Sequence, residues 1–269
     1  MNMNYKISVV TICYNAESEI KRTLDSVYGQ TLQAFQYVVV DGKSTDLTLD
    51  VIGEYRDDRM LLCSEPDGGI ADAFNKASRL ADGDLVVFLN AGDCFVDSGV
   101  LRRVVDAVSG VPNVLSNVFY GDHVLLHNGK QRVIEASLDG LSNRCSICHQ
   151  AVFIGKEIYK KMSYDTRFSI AMDHDYWLRV IEEHEFHYLG FPVCLYEWGG
   201  VSSDPRRVIP NAIETLTVLL INGKKEKSLK TMCIFISSVI IKLTKEKLRL
   251  YLGERVFVFF KSLFGLPSR

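Results

Sequence analysis

The chain has 269 residues, 47% of them hydrophobic and 24% charged, with a formal net charge of −2. That is globular composition with enough apolar material for a sizeable core, in one large α/β domain or one domain with an appendage. Seven scattered Cys, an odd number, speak for reduced thiols in a cytoplasmic chain and against a disulfide framework.

No basic head and long apolar stretch marks a signal peptide. "MNMNYKISVV" runs straight into a strand-like segment. Ile7 to Ile12 is a short β-branched run and predicts a buried strand. Ile20, Leu24 and Val27 follow at helical spacing. Tyr37 to Asp41 predicts a second buried strand that ends in a carboxylate. After "GKSTD", Thr45 or Asp46 can cap a helix through Tyr55. Met60 to Glu65 reads as a third strand, and "PDGG" breaks the chain. Ile70, Phe74, Ala77 and Leu80 mark an amphipathic helix, and Leu85 to Leu89 form a fourth strand.

This alternation predicts a parallel sheet with helices on its faces. Ligands of such sheets bind outside the carboxyl ends of the strands. Three polar tips fall there: Thr11 to Asn15, Asp41, and Asn90 to Asp93.

The second half differs. Asn128-Gly129 between extended runs signals a hairpin. "AVFI" is strand-like, and "MDHDYWLRVIEEH" has helical spacing. Asp173 and Asp175 lie in its first turn, where the helix dipole favours acids, so both also have a structural reading. "LGFPVCLYEW" is extended, and residues 212 to 265 look mostly helical. Lys224 to Arg269 holds 11 Lys or Arg and 3 Glu, on an otherwise acidic body. A basic, apolar-rich tail points to a membrane surface or a partner protein rather than nucleic acid; the alternative is a helix pair packed on the body. Its longest apolar run, Met232 to Ile241, is too short to cross a bilayer, which takes about 20 residues.

Acids at neighbouring strand tips can hold phosphates through Mg²⁺ or Mn²⁺, or accept from base N–H and ribose hydroxyl groups. Asp41, Asp67 and Asp93 converging would suit a nucleoside diphosphate with a metal. Asp41 and Asp67 each also read as turn residues, being next to Gly.

"ISVVTICYNAESEIKRTLDSVYGQT", "YVVVDGKSTDLTLDVI", "PDGGIADAFNKASRLADGDLVVFLNAGD" and "MDHDYWLRV" resemble the successive motifs of family 2 glycosyltransferases, over about residues 6 to 200. "HQAVFIGKEIYKKM" followed by "YDTRFSIAMDHDYWLR" resembles the branch that builds bacterial surface polysaccharides. The resemblance implies a GT-A fold, α/β with a mostly parallel sheet flanked by helices. The expected organisation is a GT-A transferase domain over 1–210 and, from the charge and helical pattern of the C-terminal stretch, a helical, basic extension over 211–269. The resemblance implies that the transferase is inverting. It places Thr11, Tyr14 and Asn15 around the base and has Asp41 accept from it. Asp67 and the helix carrying Asp72, Asn75 and Lys76 flank the ribose and diphosphate. The family usually ends its fourth strand in Asp-x-Asp or Asp-Ala-Asp-Asp. Here Asn90-Ala91-Gly92-Asp93 leaves Asp93 as chief metal ligand and Asn90 to meet a ribose or sugar hydroxyl. The catalytic base maps to Asp173, although Met172 stands where the family has Glu. Asp175, one register error away, would orient the acceptor or cap the helix. His149 and Gln150 face the acceptor cleft.

Cys145 to His149 matches the Cys-x-x-Cys-His pattern of haem attachment, but no export signal accompanies it, and zinc lacks a second ligand pair. Both Cys are expected to pack as small apolar groups. Trp198 is either a sugar-stacking platform or a core residue, while Trp177 reads as core. No glycine-rich phosphate loop occurs, which disfavours kinases, ATPases and dinucleotide dehydrogenases. The Gln-x-x-Arg-Trp signature of the resembling family's processive synthases is also missing. The expected activity is therefore transfer of a single sugar from a UDP-sugar, favoured over a GDP-sugar, to a glycan or lipid-linked acceptor in bacterial surface polysaccharide synthesis. The expected location is the cytoplasm or the inner face of its membrane. The alternatives are a sugar-phosphate nucleotidyltransferase and a non-enzymatic nucleotide- or glycan-binding module of the same fold.

Overall fold

The computed structural model describes residues 5–143, 145–197 and 207–224. Four parallel strands form the first half: β1 (Ile7–Cys13), β2 (Gln36–Asp41), β3 (Met60–Ser64) and β4 (Leu85–Phe88), in the order β3-β2-β1-β4. They are the four expected from the sequence. Each link is a helix: α1 (Ile20–Tyr28), α2 (Thr48–Gly53) and α3 (Ile70–Leu80).

The first, second and fourth strands read as continuous apolar runs because both faces are covered. Val10, Val38, Val40, Val86 and Phe88 point into one core layer with Ala71, Phe74 and Ala77 of α3. Their neighbours Val9, Tyr37, Val39, Leu85 and Val87 point into the opposite layer with Ile20, Leu24 and Val27 of α1 and with Ile52 of α2. The alternation follows from the two-residue period of a strand.

The second half extends the sheet in mixed directions. β5 (Cys94–Phe95) leads to α4 (Val100–Val108), whose Val100, Leu101, Val104, Val105 and Val108 are all buried at helical spacing. β6 (Val118–His127) and β7 (Lys130–Ile134) form the expected hairpin. Its turn residues Asn128 and Gly129 have φ of 49° and 71°, the left-handed pair that a two-residue hairpin turn needs. β8 (Val152–Gly155) lies antiparallel between β4 and β6. The short α5 (Lys156–Tyr159) follows, then α6 (Met172–Val180), and β9 (Phe186–Glu197) runs parallel to β6 and antiparallel to β5. The described sheet thus has nine strands, with the antiparallel ones gathered beyond β4.

α7 (Val208–Ile221) packs on the body. Val218 and Leu219 enter the same core layer as Trp177, and the Glu214 carboxylate accepts from the amides of Ser169, Ile170 and Ala171 just before α6. Of the expected helical extension, residues 225–269 lie outside the described residues. No helix among the described residues is long and apolar enough to cross a membrane.

Candidate active site

The site is built at the carboxyl ends of β1, β2 and β4. Register places Cys13 opposite Asp41, and Asp41 opposite Ser64, so the β2 carboxylate stands between two neighbouring strand tips. Asp41 is fully buried. Its Oδ2 accepts from the Ser64 hydroxyl at 2.6 Å and the Ser44 amide at 3.0 Å, and the Ser44 hydroxyl donates to Oδ1. The first acid is therefore satisfied by its own chain.

Two loops over this tip clamp each other. Asn15 takes the left-handed conformation (φ 48°), which Asn tolerates better than most residues. Its side-chain oxygen accepts from the Thr45 amide at 2.9 Å, and its own amide donates to the Ser44 hydroxyl at 2.8 Å. Asp46, one of the two expected caps, accepts from the Thr48 amide at 3.0 Å as α2 begins.

Gly42 is required by close approach. A Cβ there would lie 2.7 Å from Asp67 Oδ2 and 3.3 Å from the Tyr14 ring. Asp67 and Tyr14 thus converge on the backbone that follows Asp41, and Tyr14 keeps 62% of its surface exposed. Beyond Asp67, the Asp72 carboxylate accepts from the Gly68 amide at 3.0 Å, which holds its carboxyl below the usual range. Lys76 reaches the Pro66 carbonyl (2.7 Å), Glu65 (3.1 Å) and Asp72 (3.4 Å), closing the turn before α3.

On the other side of β1, the tip after β4 folds back on itself. The Asp93 amide donates to the Asn90 carbonyl at 3.0 Å, and the Thr23 hydroxyl of α1 donates to the Asp93 carbonyl at 2.7 Å. Asn90 Oδ1 is buried with no hydrogen-bond partner among the described residues. Asp93 is only 8% exposed, and Gln150 Nε2 donates to its Oδ2 at 2.8 Å. Burial pushes its carboxyl up to about 7, against the opposing pull of the Gln150 hydrogen bond and the Arg22 charge. Arg22, on α1, donates to the Gly92 carbonyl and pairs with Glu197 at 2.8 Å.

This tip suits a hard cation shared with a ligand's phosphates. Mg²⁺ in particular is commonly held by one or two carboxylates plus substrate oxygens. A desolvated carboxylate and an unpartnered amide oxygen on one turn offer the right donors. No three His, Cys, Asp or Glu side chains gather as a protein-only cage among the described residues.

Asp173 opens α6. The His174 amide donates to its Oδ1 at 2.7 Å, and the Cys145 thiol donates to its Oδ2 at 3.5 Å. Burial raises its carboxyl, with those two donors pulling the other way. Cys145 thus makes a polar contact rather than packing only as an apolar group. Cys148 likewise donates to Gln150 Oε1 at 3.2 Å and lies 3.8 Å from Cys194 Sγ.

Several expected site residues spend their polar atoms inside the protein. The fully buried Thr11 hydroxyl joins the Leu89 carbonyl (2.7 Å) and the Tyr37 hydroxyl (2.9 Å). Both ends of the Asn75 amide bond the backbone of Tyr164, at 2.8 and 2.9 Å. Asp175, 1% exposed, accepts at Oδ2 from Arg179 (2.9 Å) and at Oδ1 from Asn222 (3.0 Å), contacts that tie α6 to the segment after α7. His149 stacks on Phe74 with ring centroids 4.7 Å apart and bonds Tyr164 through Nε2 at 2.9 Å; burial drives its imidazole down to about 3. Gln150, expected to face the acceptor cleft, donates through Nε2 to Asp93. Trp177 is core, as expected, and Trp198 lies outside the described residues. Sequence reasoning gave no role to Arg22 or to the Cys145 thiol. Neither has a local pattern, because their partners are 70 and 28 residues away.

Residues 8–171 match the family model described as Glycosyl transferase family 2. The chain belongs to glycosyltransferase family 2. Among curated relatives, a PGL/p-HBAD biosynthesis glycosyltransferase of Mycobacterium bovis is 29% identical over 203 residues, covering 73% of this chain and 78% of that protein. The UDP-Glc:alpha-D-GlcNAc-diphosphoundecaprenol beta-1,3-glucosyltransferase WfgD of Escherichia coli is 25% identical over 190 residues, covering 67% and 72%. Among solved structures, S. aureus TarS 1-349 in complex with UDP-GlcNAc superposes with a TM-score of 0.66 at 18% identity, over 81% of this chain and 66% of that one. The mannosyltransferase PcManGT of Pyrobaculum calidifontis, in complex with GDP-Man and Mn²⁺, gives 0.63 at 16%, over 98% and 89%. This glycosyltransferase therefore has the GT-A architecture expected of its family.

Proposed function

We propose that this glycosyltransferase moves one hexosyl unit per cycle, with inversion, from a nucleotide-diphospho-sugar to a hydroxyl of a lipid-linked glycan in bacterial surface polysaccharide synthesis. The observation that carries the reading is a shared support. Residues 145–150 hold Asp173 at one end, through Cys145, and Asp93 at the other, through Gln150. A proton acceptor and a cation ligand fastened to one short segment can serve one reacting centre.

In this reading Asp173 takes the proton of the acceptor hydroxyl as that oxygen attacks the anomeric carbon. The new C–O bond forms opposite the breaking bond to the diphosphate, whose oxygen leaves with the electron pair, and this back-side geometry inverts the centre. A base works best when its pKa is near the working pH, so the upward shift of Asp173 favours the step. Mg²⁺ or Mn²⁺, held by Asp93 with the donor's phosphate oxygens, would neutralise charge on the departing diphosphate. Tyr14 offers an exposed aromatic face for the base, Asp67 accepts from ribose hydroxyls, and Asn90 Oδ1 is available to a hydroxyl donor. Asp41 shapes the floor of the base pocket through Ser44 and Ser64.

The donor preference is UDP over GDP. The name of WfgD and the UDP-GlcNAc complex of TarS support it, and the GDP-Man complex of PcManGT supports the other choice. The diphosphoundecaprenol in WfgD's name supports a lipid-linked acceptor. Exposed Ile209, Ile213, Leu220 and Ile221 on α7, followed in the sequence by the basic segment that starts at Lys224, support a peripheral position on the cytoplasmic membrane face.

The competing reading, a binding module, draws on the lone acid left at the β4 tip. Two measurements separate them. In a thermal-shift screen with Mn²⁺, UDP-sugars should stabilise the protein more than GDP-sugars do. Asp173→Asn should then abolish transfer to a lipid-diphosphate acceptor while nucleotide binding persists. Binding without turnover by the unmodified protein, in any divalent metal, would leave only the module.

A further inference from the structure

Gln150 lies between an acidic group, Asp93, and a sulfur-bearing group, Cys148, that are far apart in the chain. Its amide donates through Nε2 to Asp93 Oδ2 at 2.8 Å and accepts through Oε1 from the Cys148 thiol at 3.2 Å. The two contacts fix which end of the amide faces which way. An ionised carboxylate only accepts, so it selects the NH₂ end. A thiol beside an amide oxygen acts as the donor, so it selects the other end. Cys148 is itself backed by Cys194, 3.8 Å away on β9, a fully buried residue.

We propose that Gln150 is the positioning residue for Asp93, and that the Cys148 thiol holds the Gln150 amide in the orientation this requires. The inference rests on Asp93 serving as the cation's protein ligand. Gln150 occupies one carboxylate oxygen and fixes the rotation of the group, so the other oxygen is presented to the cation at one angle. A carboxylate with a single fixed rotamer loses less freedom when it ligates, and outer partners of metal ligands typically change metal affinity by about 10- to 100-fold. Such support matters most where the strand tip carries one acid and no second carboxylate helps to fix the cation. Gln150 acts on Asp93, not on the reacting atoms.

The test is Mn²⁺ binding to the full chain in the presence of UDP, with GDP in parallel, followed by the loss of the free Mn²⁺ paramagnetic resonance signal. Asp93→Ala comes first. If it leaves Mn²⁺ affinity unchanged, the cation reading itself fails. Given a loss there, Gln150→Leu should weaken Mn²⁺ binding by roughly tenfold. Transfer by that variant should recover at saturating Mn²⁺, with the half-saturating concentration raised and kcat within about threefold of wild type. Cys148→Ser keeps a donor to Oε1 and should bind Mn²⁺ within about twofold of wild type, whereas Cys148→Ala should be about threefold weaker. The Cys148 pair keeps the question open to refutation should Gln150→Leu fold poorly. Gln150→Leu binding Mn²⁺ like wild type would overturn the positioning role. Cys148→Ala matching Cys148→Ser would overturn the role of the thiol.

Discussion

Asp173 and Asp175 stand two residues apart in the first turn of α6 and are used in opposite ways. Asp175 is sealed in, with one oxygen on Arg179 and the other on Asn222 of the segment after α7. Asp173 is half-buried, and among the described residues its hydrogen-bond donors are the His174 amide and the Cys145 thiol, neither of which neutralises its charge. Asp175 ties α6 to the segment after α7, and Asp173 keeps a carboxylate that can accept a proton.

The two Asn variants should therefore fail differently. Asp173→Asn should cost about 10²- to 10⁴-fold in transfer rate, the usual worth of a general base, with little change in melting temperature. Asp175→Asn should retain measurable transfer and lose stability. Arg179 is still one-third exposed, so the cost stays near 1–3 kcal/mol rather than that of a fully buried orphan charge. Donor turnover and Tm on the same preparations distinguish the pair; a large rate loss in Asp175→Asn with unchanged Tm would exchange the two roles.

The Cys145 thiol donates to Asp173 Oδ2 and so favours its charged form. Cys145→Ala removes that donor. The acidic limb of the pH profile of kcat/KM should then move to higher pH, while Cys145→Ser leaves it near its original place. A profile that is the same in all three proteins would mean that another group sets the limb.

The parallel half of the fold was legible because buried strands and amphipathic helices leave local patterns. Val9 and Val10, adjacent in sequence, face opposite layers, and a run apolar at both positions can only be covered on both sides. The hairpin was legible for a similar reason, since Asn128-Gly129 suits a turn that needs two left-handed residues. What sequence could not give was which polar atoms are already satisfied. Thr11, Asn75 and His149 were expected at the ligand, and each bonds a residue 78, 89 or 15 positions away. Gln150 was expected to face the acceptor cleft, and its hydrogen bond to Asp93, 57 residues away, depends on the β4–β8 pairing, which has no local sequence pattern. Spacing places residues at the crevice; the partner they meet there is a tertiary fact.

Asn75 shows the difference in a measurable form. Its amide bonds the Tyr164 backbone twice, pinning the segment before α6 to α3. Asn75→Ala leaves a backbone N–H and a carbonyl short of partners, at about 1–3 kcal/mol each where they are sealed from water. Chemical denaturation should show a clear loss of stability, while the Kd for UDP with Mn²⁺ stays within about twofold once binding is measured well below the new melting temperature. A variant that is as stable as wild type but binds UDP tenfold more weakly would return Asn75 to the nucleotide pocket.

Asp93 gives the sharpest test, because its effect on stability should change sign with its ligand. In the ligand-free fold its carboxyl is pushed up to about 7, chiefly by burial, against about 3.9 in an unfolded chain. Between those values the folded protein holds a proton that the unfolded chain has already released. The contribution is therefore fully present below about pH 4 and lost as pH rises through about 7, so the ligand-free protein weakens across that window. Asp93→Asn has no charge to desolvate and can still accept from Gln150. It should be more stable than wild type at pH 8 by about 1–3 kcal/mol, with the gap closing toward pH 5. With Mn²⁺ and UDP present the ranking should invert, since only the carboxylate gains from a cation. Below about pH 7 a cation must displace the proton, so apparent Mn²⁺ affinity should fall by up to about tenfold per pH unit. Urea unfolding at pH 5, 6, 7 and 8, with and without Mn²⁺ and UDP, reads all of this. A ligand-free Asp93→Asn protein that is less stable than wild type at pH 8 would mean that the Asp93 charge is already compensated inside the fold, and it would remove the reason for expecting a cation there.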